Sequence, residues 1–378
     1  MKKTRKRILW VVIILIIIAG IWWEANKKPS LTGEVIKIGI LEPLTGVRAE
    51  AGEYFKKGLD LALAEINNDS NKRYQLDLIF EDTQYNPAIA VTAFNKLTDL
   101  NEVKYVVGAF GSSSTLAVAP IAERKKIILI TPGSQSAAVS QAGDYIFRTQ
   151  INTAQEAPFM AKFIKSITNN KKIHILAINT DYSPSYMKYL IPTLEENDVT
   201  VGLVEKFGSK ETDYRTQLLK LKSSNAEYIL LLGTPNNMGQ ILKQAQELGI
   251  EATFFGSSTA EGKDLLEVGG NAVKNFYYAY PYNNDSNIKS MKTYREKYLA
   301  KYNEIPEMLS ANIYDTIYML HNCFEQVGDD VDKVKSCLYG IKEYKGASGV
   351  LLFDKNGDVV KPFLIKTVEN GKFVPYQD

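Results

Sequence analysis

Strand-like and helix-like periods alternate along almost the whole chain, and this alternation limits the fold more than any other feature. "VIKIGIL", starting at Val35, reads as a strand, and beyond Ala51 the residues Phe55, Leu59, Leu63 and Ile66 mark one face of a helix. "YQLDLIFED" is a strand, Pro87 to Leu100 a helix, "VKYVVGAF" a strand, Thr115 to Arg124 a helix and "IILIT" a strand. A second series follows: "KIHILAIN", a helix after Pro184, "VGLVEKF", a helix through Tyr214, Leu218 and Leu221, "AEYILLLG", a helix through Met238, Leu242, Ala245 and Leu248, and "ATFFGS". Strands separated by helices imply parallel pairing with right-handed crossovers. The pattern therefore predicts an α/β chain of two doubly wound parallel-sheet lobes, and 378 residues with 45% hydrophobic content are ample for two cores. Ser290 to Tyr302 and Ser310 to Gly328 return to helix. The chain then closes in β-hairpins turning at Asn356-Gly357 and Asn370-Gly371.

The N-terminus, "MKKTRKRILWVVIILIIIAGIWWEANKK", has a basic flank at residues 1–7, an unbroken apolar run at 8–23 and a polar tether at 24–34 containing Pro29 and Gly33. The run is about 24 Å of helix, between a signal core and a full membrane span. No small-residue cleavage site stands out and no lipid-accepting cysteine follows. Trp22 and Trp23 sit where interfacial aromatics anchor a helix, so the segment reads as an uncleaved transmembrane anchor, with a cleaved export signal as the alternative. The basic flank belongs on the cytoplasmic side, and everything after Trp23 faces outward. Lys and Arg number 45 against 43 Asp and Glu, but Lys2, Lys3, Arg5, Lys6 and Arg7 lie in this leader; without those five the balance is 40 against 43. A near-neutral body gives no basis for nucleic-acid binding.

Cys323 and Cys337 are the only cysteines, and an even pair suits an oxidising compartment. They fall on neighbouring helix-like segments and are a disulfide candidate, with two buried thiols as the alternative. Constellations for catalysis or cofactors are scarce. His174 sits inside an apolar strand and His321 beside an apolar helix face, as packed histidines do. The chain has no G-x-S-x-G elbow, Walker loop, G-x-G-x-x-G or Cys/His cluster, and the reading is of a non-enzyme without cofactor or metal. "DKNGDVVKPF" has the Asp354, Asn356, Asp358 alternation of a calcium loop, but its sixth position is Val359, and the hairpin turn accounts for the residues.

One stretch does suggest a site. "VVGAFGSSSTLAVAPIAERKKIILITPGSQSAAVS", Val106 to Ser140, places small hydroxyls after two successive strands, at the strand ends where parallel α/β sheets bind ligands. A helix beginning near Ser114 presents free N–H groups, and flanking hydroxyls add uncharged donors, a combination suited to a carboxylate. Capping by Ser113 or Ser114 explains one serine, not three.

Four stretches carry a resemblance to a family: "IKIGILEPLTGVRAEAGEYFKKGLDLALAEIN", "VVGAFGSSSTLAVAPIAERKKIILITPGSQS", "YIFRTQINTAQEAPFMAKFI" and "GVLLFDKNGDVVKPF". In order and spacing they resemble the type I periplasmic solute-binding proteins, in particular the branch with the branched-chain amino-acid binding proteins of ABC importers. The resemblance covers nearly everything after Val35. It implies interleaved lobes, 35–151 with 283–346 and 152–282 with 347–378, joined by three hinge crossings near Ile151, Tyr282 and Gly346. It also implies that the lobes close on a small polar, carboxylate-bearing ligand, an amino acid or a related carboxylate or amide, and deliver it to the membrane subunits of an importer. By the same resemblance Ser112, with Ser113 beside it, holds the ligand carboxylate, the loop after the next strand contacts the ligand through Ser134 and Ser136, with the register open by one residue through Gln135, Tyr182 forms an aromatic wall, and Asp181 is a candidate partner for an ammonium. Two positions depart from the family: Ser258 stands where a Glu commonly pairs the ammonium, and Thr234 where an aromatic is frequent. Glu261 is the nearest acid that a shifted loop would bring to the ligand. The alternative function is a ligand-sensing ectodomain reporting to a separate membrane partner, and a hydrolase using Ser112 is a distant third.

Overall fold

The structure, a computed structural model, describes residues 33–169, 171–282 and 286–377. The anchor expected at residues 8–23 lies outside them; among the described residues no helix is long and apolar enough to cross a membrane.

Two sheets organise the chain. The first contains β1 (Glu34–Glu42), β2 (Tyr74–Asp82), β3 (Tyr105–Gly108), β4 (Ile128–Thr131) and β5 (Ile146–Arg148), all parallel, in the order β2-β1-β3-β4-β5. Side chains alternate across it as the strand period requires. Ile36, Ile38 and Ile40 join the cluster containing Phe55 and Leu59 of α1 (Ala49–Asn68), while Leu41 and Val106 join the one containing Ala90 and Phe94 of α2 (Pro87–Asn95) and Val118 of α3 (Ser112–Lys125). The second sheet contains β6 (Ile173–Ile178), β7 (Val201–Phe207), β8 (Tyr228–Leu232), β9 (Thr253–Gly256) and β10 (Phe276–Tyr280), again parallel, with the order β7-β6-β8-β9-β10. Its helices include α4 (Thr153–Thr168), α5 (Tyr182–Glu195), α6 (Arg215–Ser223), α7 (Pro235–Glu247) and α8 (Lys263–Gly269). Each sheet has a switch point, β1/β3 in the first and β6/β8 in the second, where crossovers leave in opposite directions and open a crevice beyond the strands' C-terminal ends.

The chain passes between lobes more than once. It leaves β5 at Arg148 and enters α4 at Thr153. After β10 it returns in α9 (Lys289–Tyr302), which lies on α1 through Lys297–Glu65 at 2.7 Å and a Tyr302 hydroxyl donating to the Lys57 carbonyl at 3.0 Å. Next come α10 (Met308–Val327) and α11 (Val331–Tyr339), joined by the Cys323–Cys337 disulfide with Cα atoms 5.8 Å apart. A short hairpin follows, β11 (Tyr344–Gly346) with β12 (Gly349–Leu351).

The last passage differs from the expected boundary at Gly346. Leu351, Phe353 and Val359 pack in the first lobe's core, Phe353 against Phe147 at 5.4 Å, and the chain reaches the second sheet only at β13 (Leu364–Glu369). The reason is electrostatic as well as apolar: Asp358 must stay in the first lobe to meet Arg148, which is fully buried. Arg148 Nε and Nη2 donate to one Asp358 oxygen at 2.9 and 2.6 Å, Nη1 donates to the Ser136 carbonyl at 2.7 Å, and Nη2 also donates to Ser140 Oγ at 2.7 Å. Asp354, the first residue of the calcium-like stretch, accepts the N–H groups of Asn356 and Asp358 and closes the turn. The Asn356-Gly357 hairpin is reduced to one bridge, Phe353 to Val359. Asn370 and Gly371, at φ 50 and 69, do turn β13 into β14 (Lys372–Pro375), the positive pair that a tight two-residue hairpin needs.

Two outcomes follow from this packing. Asp358→Asn leaves a guanidinium buried without a counter-charge and should cost about 3–5 kcal/mol in urea denaturation; a loss below about 1 kcal/mol would contradict the role given to the pair. Reducing Cys323–Cys337, which closes a loop of 14 residues' separation, should cost about 3 kcal/mol, read as a lower melting temperature in reductant that the Cys323→Ala/Cys337→Ala variant no longer shows.

Candidate ligand-binding cleft

The C-terminal ends of the two sheets face each other, and the loops that follow them line one cavity of about 40 Å³. From the first lobe come Arg48 after β1, Tyr85 after β2, Phe110 to Ser112 after β3, and Gly133 and Gln135 after β4. The second lobe contributes Ile178 and Tyr182 around the end of β6, Gly233 and Thr234 after β8, and Thr259 after β9. An adjoining space of about 200 Å³ shares Tyr85 and Gly111 and is lined also by Ser113, Ser114 and Thr180.

Local structure explains the β3 to α3 turn. Gly111 has φ 87, and a Cβ there would lie 2.5 Å from the Tyr85 ring, so only glycine fits. Gly111 is the N-cap and α3 begins at Ser112, with no side chain capping it. The three serines are therefore free for other bonds. Ser112 Oγ accepts the Ser136 N–H at 3.0 Å, tying the two hydroxyl-rich loops and leaving its own proton to donate. Ser113 Oγ accepts the Asp181 N–H at 3.2 Å across the lobes.

Other bonds also cross between lobes. The Ala137 N–H donates to Ser185 Oγ at 2.9 Å, Gln135 Nε2 to Ser258 Oγ at 2.7 Å, and Lys263 pairs with Glu53 at 2.8 Å. These contacts pinch the inner cavity to a volume suited to a few waters. An amino-acid-sized solute is too large for this inner cavity as the lobes stand.

The structure sorts the expected site residues. Ser112, Tyr182 and Thr234 line the inner cavity and Ser113 the outer space. Tyr182 opens α5 and is buried, which pushes its phenol well above the usual range. The Thr234 hydroxyl is already engaged, donating to Asn237 Oδ1 at 2.8 Å and accepting the Asn237 N–H at 3.2 Å as the α7 cap. Ser134 and Ser136 are not in the lining; their carbonyls turn to Arg148, which sends Gly133 and Gln135 toward the cavity instead. Asp181 is exposed at the start of α5 and lines neither space. Ser258 lies behind the lining, donating from Oγ to Glu156 Oε2 at 2.6 Å and from N–H to Oε1 at 2.7 Å. Glu261 does not reach the ligand space: its carboxylate pairs with Lys366 at 2.5 Å and accepts the Tyr278 hydroxyl at 2.5 Å.

Arg48, Tyr85, Phe110 and Thr259 were not singled out by sequence, and Gln135 was reached only as a one-residue alternative to its serine neighbours. The rule that drew attention to Ser112, a loop at the C-terminal end of a parallel strand, applies equally to the loops after β1 and β2. Both histidines sit elsewhere: His174 Nδ1 accepts the Leu203 N–H at 3.0 Å, and His321 Nε2 lies 2.9 Å from the Tyr74 carbonyl. The cleft thus offers hydroxyl and N–H donors, ring faces and one cation, an arrangement for holding a solute.

Glu156 anchors the second lobe's side of the cleft. Burial pushes its carboxyl up to about 7, against the Ser258 and Tyr186 bonds that pull it down. Its folded value exceeds its ordinary 4.5, so its contribution to stability is complete below about 4.5 and is lost as pH rises through about 7. Up to roughly 3 kcal/mol is at stake. Urea midpoints at pH 5 and pH 8 should show the wild type losing stability relative to Glu156→Gln; an unchanged difference would exclude a neutral Glu156.

Comparison with known proteins follows the same outline. Residues 35–372 match the family described as periplasmic binding protein. The chain is 26% identical over 333 residues to the leucine-, isoleucine-, valine-, threonine- and alanine-binding protein of Pseudomonas aeruginosa, covering 87% of this chain and 88% of that one. The crystal structure of a leucine-binding protein from Thermotoga maritima superposes with a TM-score of 0.86 at 27% identity, over 90% of this chain and 98% of that one. A branched-chain amino-acid transporter substrate-binding protein from Streptococcus pneumoniae, solved with isoleucine, shares the fold with a TM-score of 0.83 at 24% identity, over 91% of this chain and all of that one.

Proposed function

The chain belongs to the periplasmic binding protein family, and from that premise we propose that it is an extracytoplasmic solute-binding protein that closes two lobes on a small carboxylate-bearing solute and passes it to an ABC importer. One observation carries the reading: the cavity lies where the C-terminal ends of both sheets meet, with lining from both lobes, so that a bound solute contacts the two together only when they are closed. Closure is then selective, because a ligand shifts an open–closed equilibrium only by its differential affinity for the two states.

Within this reading Ser112 donates to the carboxylate at the N-terminus of α3, where the first N–H groups have no intrahelical acceptor. Ser113 closes over it, and Tyr182 covers its apolar part. Ser134 and Ser136 act one step back, through the loop that Arg148 holds and the Ser136 N–H on Ser112. The basic and apolar leader would keep the lobes at the outer face of the membrane, near the importer.

A thermal-shift screen of the full chain against amino acids, short carboxylates, amides and polyamines tests this. A ligand at about 100 times its Kd should add about 2.7 kcal/mol of apparent stability. Ser112→Ala should weaken it by roughly 10-fold or more, the effect of losing a hydrogen bond to a charged group. A shift that persists unchanged in Ser112→Ala would place the solute elsewhere.

A further inference from the structure

The lining of the cleft carries one charged side chain, and its charge is positive. Arg48 is 8% exposed, with its guanidinium carbon 5.1 Å from the centre of the Phe110 ring. Its carbonyl accepts the N–H groups of Ala51 and Gly52, but its guanidinium forms no hydrogen bond or ion pair with any described residue. Glu50, two residues on, interacts with it only through space, since its carboxylate accepts the Tyr54 hydroxyl at 2.7 Å and the Asp264 N–H at 3.3 Å. Of the other acids near the site, Glu156 is engaged with Ser258, Glu261 with Lys366, and Asp181 lies at the surface; Glu42, at the end of β1, is buried with neither oxygen hydrogen-bonded, its carboxyl held well above the usual range by burial, and it lines neither space. Neither the inner cavity nor the outer space is lined by a carboxylate.

A desolvated guanidinium without a counter-ion is costly, and an arriving anion relieves that cost. An ammonium brought into the same space meets a like charge and no carboxylate. The buried polar atoms of the lining without a hydrogen-bond partner, Gln135 Oε1 and the Tyr182 hydroxyl, are neutral: they exchange hydrogen bonds with a hydroxyl or amide but do not offset a charge. Tyr85, Phe110 and Tyr182 supply ring faces for an apolar body.

We propose that the cleft selects a small monocarboxylate with an apolar body and no ammonium group, and that Arg48 is its counter-ion and specificity determinant. This rests on the cleft being the solute site. It separates the chain from an amino-acid binder by charge rather than by shape: Ser258 behind the lining is committed to Glu156, no carboxylate lines the space, and the loop after β1 adds a cation.

Matched pairs test it. Calorimetric titration of the full chain compares L-leucine with 4-methylpentanoate, L-phenylalanine with 3-phenylpropanoate, and each acid with its primary amide. At least one acid should bind, roughly 100-fold or more tighter than its amino acid. Arg48→Met should weaken that acid roughly 10- to 100-fold and narrow the gap to the amide, Arg48→Lys should retain part of the affinity, and neither variant should melt below wild type, because Arg48 holds no structural ion pair. An amino acid binding as tightly as its deaminated partner, or acid affinity unchanged in Arg48→Met, overturns the proposal while leaving the cleft as a solute site. If the amides bind and the acids do not, the charge argument fails in the same way. If none of the six compounds binds and the broader screen also gives no shift, the solute-site reading fails with it.

Discussion

The buried pair of Arg148 and Asp358 is the contact on which the rest of the architecture depends. One guanidinium joins the last strand of the first sheet, the carbonyls of the loop after β4, the hydroxyl of Ser140 and a carboxylate more than two hundred residues away in sequence. The other Asp358 oxygen accepts from Asn152 at 3.1 Å, at the point where the chain first leaves the lobe. Burial pulls the arginine's pKa down, and Asp358 offsets part of that fall. A buried charge pair is retained only if nearly all its hydrogen-bonding capacity is used, and here the unused donors are turned into loop geometry. The loop that supplies Gly133 and Gln135 to the cleft is shaped from behind, by a cation that never touches the cavity.

Interleaving the lobes has a second consequence. Because the chain crosses more than once, the two sheets are not free to drift, and the ends of their central strands stay opposed. The β1/β3 and β6/β8 switch points each open a crevice, and the two together line a single cavity. Of the bonds between the lobes, Ser113 with Asp181, Ala137 with Ser185 and Gln135 with Ser258 are neutral, and Lys263 with Glu53 is an ion pair at the surface. Such contacts are weak enough to exchange with water when the lobes part. Glu156, pushed up to about 7 by burial, supports this neutral seam from inside the second lobe.

Much of this was legible in the sequence. The order of strands and helices followed from periodicity, the Asn370-Gly371 hairpin from its turn residues, and Ser112 from the chemistry of a hydroxyl at the start of a helix after a parallel strand. The pairing of Cys323 with Cys337 was open as a candidate, since two adjacent helices carry them. What was not legible shares a cause. Ser134 and Gln135 are neighbours, and which of them faces the cavity depends on Arg148, which no local pattern reveals. Ser258 and Glu261 both lie near the cleft in sequence order, yet one is held by Glu156 and the other by Lys366 on an antiparallel strand added by the C-terminus. The last lobe boundary was displaced for the same reason, by Asp358.

Taken alone, the amino-acid sequence determined the two wound lobes, the site at the strands' C-terminal ends and the hydroxyls at the head of α3, because each depends on the period of a segment or on the chemistry of a few adjacent residues. Only the tertiary structure decided the charge of the cleft. Removing Glu261 from it and placing Arg48 in it required partners distant in sequence, and the energy of a buried charge is set by what stands next to it in space.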